Sequence, residues 1–177
     1  MNFDRLKQNI IDVVKEEQLK LGYRPETVRL YYPLASLNHF FGQERGIGQA
    51  LSLLKDFCET VKEELGEIAV SNQGERFCFA IPEKGAAYVH ERTLENEFIK
   101  ELIDAVRTHG CGMEEVIAVF RAHSDRLHIE KLNNGEFDWL IYFEDGLPDN
   151  YFYCFTSDEF HTMYHRFLPE DYADFGF

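Results

Sequence analysis

The sequence predicts an α+β protein, and three observations carry that expectation. Long stretches place apolar residues at helical spacing, short stretches split by turn residues read as strands, and each kind comes in blocks. Strict alternation of strand and helix would instead point to a doubly wound parallel sheet.

A first helix is expected from Phe3 to Leu21, where Phe3, Leu6, Ile10, Val13, Val14 and Leu21 mark one face. Gly22 stands where a left-handed cap ends a helix, and Pro25 follows. Thr27 to Pro33 reads as a short strand or extended linker, because Pro33 disfavours helical geometry at Tyr32. Leu34 to Phe41 is then helical up to Gly42. A longer helix runs from Gly48 to Leu65, with Gly66 as its stop.

The period then changes. Ile68 to Val70, Arg76 to Ile81 and Ala86 to His90 are expected as three strands of a meander, separated by Asn72-Gln73-Gly74 and by Pro82-Glu83-Lys84-Gly85. Helical spacing resumes after Thr93, read as an N-cap, with Leu94, Phe98, Leu102, Ala105 and Val106 on one face. The segment His109 to Gly112 breaks it, and a shorter helix follows from Met113 to Ala122. A second meander is expected from Arg126 to Leu132, Glu136 to Phe143 and Tyr151 to Thr156, the first turn being Asn133-Asn134-Gly135. The last helix is expected from Asp158 to Phe167, before an acidic, aromatic tail ending Phe175-Gly176-Phe177. No linker rich in Pro, Ser or Gly divides the chain, so a single compact α+β domain over 1–177 is expected, with helices and two short antiparallel meanders.

Composition narrows the function classes. The net charge is −14, and the stretch from Glu130 onward accounts for −9 of it, eleven acids facing only Lys131 and Arg166. Such a field repels nucleic acid, which needs a basic footprint, and attracts cations or basic partners. No apolar run approaches the roughly 20 residues of a spanning helix, and the charged N-terminal stretch is unlike a secretory signal. Cys58, Cys78, Cys111 and Cys154 have neither Cys-x-x-Cys nor zinc-site spacing and are expected as reduced structural thiols.

Several motifs bear on chemistry. His161 and His165, four apart on the expected last helix, would share a face and could ligate one metal. Asp158, Glu159, His128 or Cys154 would supply a third ligand. Thr162 stands where a zinc protease has its glutamate base, so that class does not fit, and half-buried packing is the competing role. Tyr164, His165 and Arg166, beside the aromatic strand containing Tyr153, could line a pocket for an anionic or aromatic ligand. Internal pairing of Arg166 with a nearby carboxylate is the alternative. Gly46-Ile47-Gly48 looks like a helix entry and not a dinucleotide fingerprint, because no strand precedes it. The carboxylates Glu144, Asp145 and Asp149 lack the spacing of a calcium loop. Cys111 has no base positioned by neighbouring sequence.

Three stretches carry a resemblance: Val28-Arg29-Leu30-Tyr31-Tyr32-Pro33-Leu34 with Ser36-Leu37-Asn38, then Phe137-Asp138 with Tyr142 to Gly146, then Tyr164-His165-Arg166-Phe167 with Asp171-Tyr172. Over nearly its whole length the chain resembles a family from anaerobic Gram-positive bacteria, catalogued as a domain of unknown function. The resemblance implies a bacterial source and a cytoplasmic location, and it brings no assigned activity with it. The first functional expectation is a non-catalytic interaction protein whose acidic, aromatic C-terminal third contacts a basic partner protein. The second is a small metal-dependent enzyme centred on His161 and His165.

Overall fold

A computed structural model describes residues 3–132 and 134–174, and the α+β class holds. The chain divides into two compact units, Met1–Glu95 and Asn96–Phe177.

The first unit runs α1 (Asp4–Leu21), β1 (Val28–Pro33), α2 (Leu34–Phe41), α3 (Ile47–Leu65), β2 (Ala69–Gln73), β3 (Arg76–Ile81) and α4 (Glu83–Arg92). Its antiparallel sheet has the order β1-β3-β2. The strict in–out alternation of β1 buries Val28, Leu30 and Tyr32 while Arg29 and Tyr31 face out. The expected strand from Ala86 to His90 is instead part of α4. Gly85, Ala86 and Val89 are its buried positions, and that three-to-four spacing suits a helix better than a strand. Pro82, whose ring presets φ, stands as its N-cap. The third strand of the sheet is β1, so these strands are not a sequential meander. Gly46 opens α3 directly after the turn that ends α2, which makes the Gly46-Ile47-Gly48 motif a helix entry as expected.

Lys15, on α1, is buried, and its Nζ donates to the carbonyl oxygens of Val89 at 3.4 Å and Thr93 at 3.3 Å. These carbonyls lie at the C-terminal end of α4, where the helix dipole favours a cation. Lys15→Met keeps the apolar stem and removes the charge, so we expect a loss of about 1 kcal/mol in urea unfolding. Lys15→Ala should cost more, because stem packing also goes.

The second unit contains α5 (Glu97–Arg107), α6 (Met113–His123), β4 (Leu127–Lys131), β5 (Trp139–Phe143), β6 (Phe152–Ser157), β7 (Thr162–Phe167) and α7 (Pro169–Asp174). The cap of α5 is Asn96, whose side chain accepts from the Ile99 N–H, and not Thr93. Thr93 instead ends α4 by donating its hydroxyl to the Val89 carbonyl oxygen. Leu94, expected on the helical face, is 96% exposed ahead of α5.

The sheet is a true antiparallel meander, β4-β5-β6-β7. Asn133 of the expected β4–β5 turn lies outside the described residues, as do the final residues 175–177. Asn134 Oδ1 accepts from the N–H groups of Glu136 and Phe137, and Gly135 adopts φ +78°, so the turn chemistry is that of an Asx loop longer than a two-residue hairpin. The expected helix from Asp158 to Phe167 is a tight turn followed by β7. Asp158 Oδ1 accepts from the N–H groups of Phe160 and His161, a pattern that also starts helices. Here the Asp158 N–H donates to the His161 carbonyl oxygen, which closes a hairpin, and Ser157 pairs with Thr162. Alternation of Thr162, Tyr164 and Arg166 then serves the sheet. The core of this unit holds Phe98, Phe120, Phe143, Tyr153 and Phe155 in edge-on contacts.

Candidate functional site

The candidate residues fall on opposite faces of the second sheet. Because β7 is a strand, Tyr164 and Arg166 point to one side and His165 to the other. Tyr153 pairs with Arg166 and Phe155 with Tyr164 across the ladder, so these four share the side that contains the Phe98 and Phe120 core. Tyr153 is fully buried, and its hydroxyl donates to Asp149 Oδ2 at 2.6 Å. The guanidinium of Arg166 lies 4.3 Å from the centre of the Tyr151 ring, a cation–π contact. Tyr153, Tyr164 and Arg166 therefore come together, while His165 is separated from them by the sheet.

His161 and His165 do not share a helical turn. Four residues of extended backbone separate them by about 13 Å, far more than the two short bonds from one metal ion can bridge. His161 lies near Asp158, with Nδ1 3.9 Å from Oδ1, and near the His109 ring at 6.2 Å. His165 packs beside Phe137 with ring centres 5.6 Å apart. Among the described residues no group of three His, Cys, Asp or Glu side chains is placed to hold a metal ion.

The loop carboxylates are engaged in holding turns. Asp145 Oδ1 accepts from the Leu147 N–H and Asp149 Oδ1 from the Tyr151 N–H. Hydrogen bonds from the Phe160 and His161 N–H groups hold the Asp158 carboxyl below its ordinary range. The thiols are shifted the other way. Burial, with Glu136 nearby, pushes Cys154 up to about 12, and burial with Glu59 pushes Cys58 up to about 11. Cys111 is raised by burial and by Glu115. Each of these three thiols is protonated at neutral pH, the state of a packing residue and not of a nucleophile.

The side of the sheet opposite the Phe98 core bears a feature that sequence reasoning does not reach. Its register aligns His128 with Tyr142 and Phe152 with Phe167, and the Tyr142 and Phe152 rings stack at 4.1 Å. His128 stacks on Tyr142 at 4.6 Å with 17° between planes. A row of four rings thus crosses all four strands, one ring from each. At the β7 end Tyr172 of α7 closes on Phe152 and Phe167, with ring centres 5.4 and 6.4 Å away. Next to this row lie Glu130, Leu140, Cys154 and His165, set by the same registers. Phe137, Leu140 and Cys154 form a small buried cluster there, and Tyr142, Phe152, Phe167 and Tyr172 pack on it while remaining half-exposed. Met163, on this side too, is 62% exposed.

Each ring occupies an every-second position in its own strand, which is the trace the sequence carries. Bringing four such positions into line requires the register, and loop lengths that the turn residues leave open set the register.

The charge is as uneven in space as along the chain. The first unit has twelve Lys and Arg against fifteen Asp and Glu, and the second has six against seventeen, so −11 of the −14 belongs to the unit with the ring row. Among the described residues no helix is long and apolar enough to cross a membrane.

A family model described as "Domain of unknown function, E. rectale Gene description (DUF3877)" matches residues 3–176. No curated protein and no solved structure matches the chain.

Proposed function

The chain belongs to that family, and from the ring row of its second unit we propose that it is a non-catalytic interaction protein of the cytoplasm that holds a basic partner protein. The observation that carries this reading is the half-exposed row His128, Tyr142, Phe152 and Phe167 inside the more acidic unit. Half-exposed rings supply contact area at low conformational cost, and surrounding carboxylates supply attraction for Lys and Arg. His128, Tyr142 and Phe152 stack face on face and so cover one another's faces, which leaves the pull on a cation to the carboxylates. The contact surface includes Glu130, Met163 and His165, of which only His165 belongs to the ligand set expected from sequence.

The reading predicts salt-sensitive binding focused on one surface. A synthetic Arg-rich peptide titrated into the isotopically labelled protein should shift the amide signals of β4, β5 and the Met163–His165 stretch. Affinity should fall steeply between about 0.05 and 0.2 M salt. Reversing Glu130 and Glu136 to Lys should weaken binding at least tenfold more than reversing Glu59 and Glu63 in the first unit. Equal losses from both pairs, or shifts spread over both units, would mean a diffuse charge effect and would defeat the proposal.

A further inference from the structure

Resting on that reading, we propose that one segment of the partner binds as an added fifth strand along the edge of β4, extending the ring row by one member, while the rest of the partner lies on the ring face. The row has two unlike ends. At β7 it is closed by Tyr172 of α7, whereas at the other side it terminates in His128 on β4, the last strand of the sheet. β4 is five residues long and has no proline, so its backbone can accept a neighbour.

The side chains of β4 specify what that neighbour would be. A strand added about 4.8 Å away places one of its residues opposite His128 at the spacing the row already uses. A planar side chain, Tyr, Phe or the guanidinium of Arg, would continue the stack. Two residues along, on the same face, lies Glu130, 3.1 Å from the His128 imidazole, and a Lys or Arg opposite it would meet a carboxylate. On the other face Ile129 is half-buried and Lys131 lies 5.7 Å from the centre of the Trp139 ring, so that side suits apolar residues, and the cations of the occupant belong on the face with Glu130. The occupant is therefore an extended basic segment with planar and cationic residues alternating with apolar ones. Main-chain bonds give such segments their affinity, and alternate side chains give specificity.

The experiment uses the full chain and a synthetic peptide in which Arg and Tyr alternate with Val. Amide hydrogen exchange across Leu127–Lys131 should slow at least tenfold when the peptide is bound. Two further peptides of identical sequence and charge carry N-methyl groups on alternate residues, one set on each edge. Methylation of the edge facing β4 should abolish binding, and methylation of the outer edge should leave it within about threefold. If both methylated peptides bind like the parent, strand addition is wrong while face docking survives. If no peptide binds, both readings fall. Protection of β4 that grows with protein concentration before any peptide is added would assign the edge to a second copy of the chain and overturn the inference.

Discussion

Tyr153→Ala should lower the stability of the second unit by about 3–5 kcal/mol, the range for removing a large buried ring. Tyr153 has no exposed surface and touches Phe98, Phe120 and Phe155 with ring centres 5.3–6.5 Å away. Truncation would leave a cavity among aromatic side chains that interlock and cannot easily collapse around it. Tyr153→Phe keeps the ring and loses only the hydroxyl donated to Asp149. We expect about 1.5 kcal/mol for that change, at the low end for a bond to a charged group, because water can reach the half-exposed Asp149. Chemical denaturation of the two variants checks the contrast. Near-native unfolding midpoints in both variants would refute this packing role.

The second large effect is expected at a residue with no side chain. A Cβ placed on Gly85 would stand 2.4 Å from the Leu65 carbonyl oxygen and 2.7 Å from Ile81 Cγ2. The first contact is with backbone at the end of α3, which cannot rotate away, and the second is with a fully buried strand residue. Gly85→Ala should therefore force α4 outward and cost about 3 kcal/mol or more, beyond the common overpacking range because a main-chain atom is involved. The ordinary gain from replacing helical glycine with alanine, near 1 kcal/mol, is overwhelmed. Gly48, in α3, is the matched control. Among the described residues nothing stands within 4 Å of its would-be Cβ, and its φ is not positive, so Gly48→Ala should be neutral or stabilising. Similar unfolding midpoints for Gly85→Ala and Gly48→Ala would refute the argument.

Much of the fold can be read in the sequence wherever a local rule is decisive. Gly22, Gly42 and Gly66 end α1, α2 and α3 at their expected places, each with positive φ. The apolar spacing of α1, apart from the exposed Leu21, and of α3 survives because a long amphipathic period leaves a strand no way to bury the same residues. Two segments go the other way. Ala86 to His90 and Asp158 to Phe167 are short enough that either period can be fitted to them, so partners at a distance decide. For the first, the available partner of β3 is β1, more than forty residues earlier. For the second, it is β6, which pairs with β7 along its full length.

The candidate site divides in the same way. The concentration of carboxylates and rings after Glu130 is a property of composition, and composition does not depend on folding. The sorting of Tyr164 and Arg166 from His165, the distance between His161 and His165, and the alignment of His128, Tyr142, Phe152 and Phe167 all follow from β7 being a strand in a particular register. By itself the sequence determined the α+β class, the C-terminal ends of α1, α2 and α3 and the acidic balance, because these depend on spacing, glycine geometry and charge within a few residues. Only the tertiary structure decided which side chains face one another, because strand pairing is a long-range choice and a shift of one residue would send every one of those rings to the other side of the sheet.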